Sequence, residues 1–158
     1  QKNAIKFPVG FSMGEDMTMI FPFAFAQKIH YVPKAFYHYV KTNSGAYTQN
    51  HSERNLKDLK YNVERVETFL HQYYGNSLDK EIAFLKLEIK FPLLIMGTSI
   101  QQYKEWTELY PEANNFICQN RYISLRSRLL EFFCLEKTSG CSKVLLLDCY
   151  KNCIRCNL

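Results

Sequence analysis

The sequence predicts a mainly α protein with a small α+β beginning: a short strand pair beside one helix, followed by a multi-helix bundle. Three observations predict it. From Glu53 onward, apolar residues recur at spacings of three and four, the period of a helix with one buried face. Before that, residues 28–32 and 35–40 read as two short strands. Between the two regions lies a polar run, 41–52, with Gly45 as its pivot, which reads as a loop. The change of character near residue 50 divides the chain into an α+β part, 1–50, and a helical part, 51–158.

Each element has its own signal. Residues 1–9 read as an extended lead-in, with Ile5 and Phe7 alternating, and Pro8 and Gly10 mark a turn. Ser12 and Glu15 have capping-box spacing ahead of an apolar run, which predicts a helix over 13–27. Pro22 falls inside that helix and should kink or split it, since a mid-helix proline costs about 3 kcal/mol. The next helix begins at Glu53, capped by Ser52. It carries Leu56, Leu59, Val63, Val66, Leu70 and Tyr73 on one face, and Gly75 ends it. A third helix spans 77–96 with Ile82, Leu85 and Ile89 on its apolar face, bent at Pro92 and broken by Gly97 and Thr98. A shorter helix follows from Ile100 to Leu109. Pro111 stops it and starts a turn through Phe116. Residues 121–136 form another helix, with Tyr122, Leu125, Leu129 and Phe132 on one side and Ser124, Arg128 and Glu131 on the other. A last helix runs from about residue 142 to the end.

Composition sets bounds. The 158 residues are enough for a core, and 47% hydrophobic with 22% charged residues is ordinary for a globular chain. No run reaches the roughly 18–20 apolar residues of a membrane span. The opening residues have no apolar signal-peptide core, which implies a cytoplasmic protein. They also lack an initiating Met, which fits a piece of a longer protein. The net charge of +5 is concentrated late: residues 119–158 hold 7 Lys/Arg against 3 Asp/Glu. That tail suits peripheral contact with an anionic membrane surface, and equally a solvated helix face. No nucleic-acid module accompanies it, so no nucleic-acid partner is expected. Gly-x-Ser-x-Gly, phosphate-loop and dinucleotide glycine patterns are absent.

The residues that carry chemistry lie between Phe7 and Asp16. Asp16 falls in the first turn of the predicted helix. There the unpaired backbone N–H groups favour an ionised carboxylate, which can accept a proton from a hydroxyl. Glu15 and Asp16 would also serve simply to close a capping box and to complement the helix dipole.

The pattern Phe-Pro-x-Gly-x-x-x-Gly-Glu-Asp, an apolar helix, and then Lys28-Ile29-His30-Tyr31-Val32-Pro33 with Tyr37-His38-Tyr39 resembles the acceptor-side half of family 2 glycosyltransferases with the GT-A fold. The resemblance covers about residues 5–48. The segment Trp106 to Asn114 also resembles the helical tails of capsule and surface-polysaccharide members. The resemblance supports the two short strands more than their periodicity does, and it implies the C-terminal part of a GT-A catalytic domain over 1–50 and a helical C-terminal domain after it. It implies inverting transfer from a nucleotide-sugar donor to a saccharide or lipid-linked acceptor at the inner face of the membrane. Asp16 would be the general base, Glu15 would cap the helix and hold an acceptor hydroxyl, and Gly14 would leave room for the sugar. His38 and Lys41 would lie near the phosphates, although His38 also reads as an ordinary alternating strand residue. Asn43 and Ser44 of the polar loop suit contacts to sugar hydroxyls or phosphates, a composition that a plain loop explains equally. The family holds Mg²⁺ or Mn²⁺ through Asp-x-Asp on its nucleotide-binding half. That motif does not occur in this sequence, so the resemblance implies that this portion binds no metal and is inactive alone. Where the family often has Arg or His after its Tyr-x-Tyr, this chain has Val40 and then Lys41.

Two other readings compete. All six cysteines lie between Cys118 and Cys156, and Cys149, Cys153 and Cys156 have Cys-x3-Cys-x2-Cys spacing, known from iron–sulfur sites. The same three fit one helical face as small apolar residues, and too little sequence follows them to build a barrel. The other alternative is a non-catalytic helical module whose basic tail binds a membrane or a partner.

Overall fold

The computed structural model describes residues 3, 5–11, 13–38 and 53–138, and they are mainly helical. They form two compact units, Gln1–Asn76 and Ser77–Leu158, each with its own packing. The division falls after the long helix Glu53–Tyr74, whose packing partners lie upstream in the first unit. The expected last helix, and with it Cys149, Cys153 and Cys156, lies outside the described residues.

In the first unit, a 3-10 helix over Glu15–Met19 leads into α1, Ile20–Phe25. The N-cap is Gly14 in the left-handed region (φ 76°), with no side-chain cap, and Ser12 is outside the described residues. Hydrogen bonding changes from 3-10 to α type at Ile20, so Pro22 sits in the first turn of α1 and not in mid-helix. A missing N–H costs least there, which is why the proline is tolerated without splitting an α-helix.

The strand pair is a correction. Residues 28–38 contain no strand. The Lys34 N–H bonds the Val32 carbonyl at 2.8 Å, a tight reversal around Pro33 that ends any extended run. No described strand lies beside this segment, and β-propensity reports fit to a sheet more than an intrinsic backbone preference. Ile29, Tyr31, Phe36 and Tyr37 are 66–81% exposed. Residues 39 and 40 of the expected second strand lie outside the described residues.

The helix Glu53–Tyr74, α2, is the first unit's spine. Val63, Val66 and Leu70 are buried as the apolar period predicts, and Gly75 (φ 57°) follows its last residue. Leu56 and Leu59 are half-buried, and Tyr73 is exposed. Phe69 meets Phe21 and Phe25 edge to face at 4.4 and 5.4 Å, and Tyr61 stacks on Phe11 at 3.9 Å. Side chains of α2 also satisfy carbonyls of irregular backbone and of the last turn of α1. Asn62 donates to Met13 O (2.9 Å), Arg65 to Lys6 O (2.8 Å) and Tyr74 to Ala24 O (2.9 Å). Backbone outside regular structure needs such partners.

In the second unit, α3 (Asp79–Met96) is followed by α4 (Ile100–Glu108), a 3-10 helix (Pro111–Gln119) and α5 (Leu125–Thr138). Ser99 and Gln102 form a reciprocal capping box on α4. Pro111 starts the 3-10 helix as expected, and that helix runs on to Gln119. The core joins Phe84, Leu87 and Leu94 of α3 to Tyr103 and Trp106 of α4, Ala113 and Ile117 of the 3-10 helix, and Leu130 and Cys134 of α5. Two expected faces were rotated. On α3, Leu85 and Ile89 are only half-buried, while Lys86 and Lys90 are buried. On α5, which starts at Leu125 and not at 121, Leu125 and Phe132 are exposed, as is Tyr122 in the turn before it, whereas Glu131, expected on the polar side, is completely buried. Among the described residues, no helix is long and apolar enough to cross a membrane.

Candidate active site

Gly14, Glu15 and Asp16 stand together at the head of the 3-10 helix, with both carboxylates exposed. Their position is fixed from beneath. Met17 and Thr18, the next residues, are buried. Thr18 Oγ1 accepts from Arg65 at 3.0 Å, and Asn62 holds the Met13 carbonyl. Two successive acidic side chains are thereby carried on a short helix anchored to α2, with their oxygens open to solvent. Such a group can take up a proton from a bound hydroxyl, or it can simply complement the helix start.

Gly14 is required by the protein's own packing. A Cβ there would lie 3.0 Å from Met17 Cε, 3.2 Å from Leu59 Cδ2 and 3.4 Å from Asn62 Cβ, at a φ that L-residues avoid. The space at its Cα is taken by Met17 and by side chains of α2. Gly14→Ala is expected to destabilise the fold by about 2–3 kcal/mol, combining left-handed strain with overpacking. The urea midpoint checks it, and a change below about 0.5 kcal/mol would contradict the packing role.

His38 is exposed at the end of the irregular segment. Among the described residues, no hydrogen bond or ion pair joins it to Glu15 or Asp16. Lys41, Asn43 and Ser44 lie outside the described residues.

A second cluster of charged groups, unforeseen from the sequence, lies inside the Ser77–Leu158 unit. Lys90 is fully buried. Its Nζ donates to Leu109 O (2.8 Å), Trp106 O (3.3 Å) and Asn114 Oδ1, and lies 4.1 Å from the Trp106 ring centre. Burial lowers its pKa from 10.5 to about 8, against the upward pull of Glu131, Cys134 and Glu112. Glu131 is also fully buried, and neither carboxyl oxygen has a hydrogen-bond partner among the described residues. Burial pushes its pKa from 4.5 to about 7, with Lys90 pulling the other way. Beside them, Lys86 pairs with Glu112 at 2.7 Å. Lys90 and Glu131 are sealed from solvent, which suits a structural role over chemistry on a substrate, while Glu112 closes the cluster from the surface. A signal for it exists in the sequence. Between Ile82 and Met96, α3 is apolar on nearly every side, which leaves its lysines little solvent face.

The buried carboxyl makes stability depend on pH. Glu131 holds its proton more tightly folded than unfolded. Its stabilising share is therefore full below pH 4.5 and is lost as pH rises to about 7. Between those limits the chain is expected to lose on the order of 3 kcal/mol relative to Glu131→Gln. Urea unfolding across that window checks it; identical slopes in the two proteins would contradict it.

Comparisons of the chain with protein-family models, with curated proteins and with solved structures gave no match. Among the described residues, no group of three or more His, Cys, Asp or Glu side chains could hold a metal ion.

Proposed function

We propose that the chain is the acceptor-side and C-terminal helical portion of an inverting glycosyltransferase of the GT-A type, acting in surface-polysaccharide synthesis. The observation that carries this reading is the exposed Glu15–Asp16 pair at a helix start, anchored to α2 through its buried neighbours. It follows the Phe-Pro-x-Gly-x-x-x-Gly run that resembles the family. An acceptor hydroxyl oxygen attacks the anomeric carbon of the donor sugar. The bond from that carbon to the nucleoside diphosphate breaks, and the hydroxyl proton passes to the Asp16 carboxylate. Attack opposite the leaving group inverts the anomeric configuration. Glu15 holds the acceptor beside it.

The described residues do not fit the divalent cation that the leaving diphosphate needs. On this reading the cation and the nucleotide belong to a preceding half of a longer polypeptide. Ile29, Tyr31, Phe36 and Tyr37, exposed on an irregular segment, would cover part of that half. The same exposed residues favour the rival reading, a non-catalytic interaction module. Assaying the longer polypeptide with a panel of nucleotide sugars and Mg²⁺ or Mn²⁺ separates the two. Release of nucleoside diphosphate and a product of inverted anomeric configuration by NMR are expected. Absence of turnover with every donor, or retained configuration, would contradict the transferase.

A further inference from the structure

We propose that the Gln1–Asn76 unit binds a small anion carried on a flat apolar ring, in a groove between Asn3, Ile5 and Lys6, α1 and one face of α2. The groove has a volume of about 440 Å³, within the range of roughly 300–1,000 Å³ common for small-molecule sites. Its apolar wall is Phe21, Phe25, Phe69 and Tyr73. Their rings meet edge to face, with Phe25 and Tyr73 5.2 Å apart. Its charged lining is Arg65 and Lys6, with no carboxylate among the described lining residues.

Arg65 is the decisive group. It is half-buried, and its orientation is set by neutral acceptors only. These are Thr18 Oγ1 (3.0 Å), Asn62 Oδ1 (3.4 Å) and Lys6 O (2.8 Å), with the Phe21 ring centre 4.7 Å away. None of them cancels its charge, and a guanidinium cannot shed its proton. Its neighbours in sequence, Glu64 and Glu67, do not line the groove. A cation fixed in place and partly removed from water attracts an anion with little further ordering cost. The Lys6 ammonium adds a second positive charge, and Thr68 and Gln72 add uncharged polar groups at the rim. A bare inorganic anion would use the charges and leave the ring wall wet, while a neutral ring would leave the charges unanswered. A ring bearing an anionic group uses both. The proposal does not depend on the transfer reaction.

Titration of the whole chain with 1-naphthyl phosphate, by calorimetry or ligand-observed NMR, tests it. Saturable binding is expected, at least tenfold tighter than that of inorganic phosphate or of neutral 1-naphthylmethanol. Arg65→Gln should weaken the ester at least tenfold. Because Arg65 also fastens Lys6 and Thr18, Gln72→Glu is the second variant. It sets a negative charge at an exposed rim position, and should weaken the ester severalfold without moving the urea midpoint. Equal affinity for the ester and the neutral alcohol, or undiminished affinity in both variants, would overturn the proposal.

Discussion

Lys90→Met is expected to lower the unfolding free energy of the chain by about 3–5 kcal/mol, the usual cost of breaking a buried charge network from one side. Methionine matches the lysine stem in size, so the loss is electrostatic. The carbonyls of Trp106 and Leu109 and the Asn114 side chain would lose their shared donor, and Asn114 itself bonds the Thr107 carbonyl at 3.0 Å. Three helical segments, α3, α4 and the Pro111–Gln119 turn, are pinned through that one ammonium. Glu131 would lose the cation that favours its charged form, and its pKa would rise further. Adding Glu131→Leu to Lys90→Met should restore most of the loss, because apolar replacement of a whole buried pair is often neutral or stabilising. Urea denaturation of the three proteins at pH 7 measures it. A single-variant loss below about 1 kcal/mol would mean that the ammonium is not pinning these segments.

Asp16→Asn should have the opposite profile, with stability intact and chemistry lost. The side chain is exposed and makes no hydrogen bond or ion pair among the described residues, so folding should change by no more than about 0.5 kcal/mol. Asparagine keeps the size and one oxygen but cannot take up a proton. Removing a general base costs roughly 10²–10⁴ in rate. Glu15→Gln should cost less, since on the proposed reading it holds the acceptor and does not carry the proton.

The two units differ in how much of them could be read in advance. The extent of α2, its end at Gly75, the start of the 3-10 helix at Pro111 and the place of Asp16 in a first helical turn all follow from local chemistry: period, glycine, proline and acidic residues at a helix start. The strands did not follow, because residues 28–38 carry β-type side chains while strand formation depends on a neighbour that the segment's own sequence does not supply. The faces of α3 and α5 were misjudged for a related reason. Period shows that a helix has an apolar stripe, but α3 is apolar on several sides, and the side that became buried was set by Trp106 and its carbonyl pointing at Lys90. Glu131 followed Lys90 inside. A charge is counted as solvent-facing unless its partner is known, and here the partner lies on another helix. Gly14 was expected to leave room for a sugar, whereas the space a Cβ would need there is filled by Met17 and by Leu59 and Asn62 of α2.

The most direct test of the transferase account is the single-turnover rate of sugar transfer by the longer polypeptide, compared between Asp16→Asn and the unaltered protein. Single-turnover conditions keep slow product release from hiding the chemical step. A fall of about a hundredfold or more, with an unchanged urea midpoint, is the predicted result. A rate within about threefold of the unaltered protein would show that the carboxylate at this helix start takes no part in removing the acceptor proton.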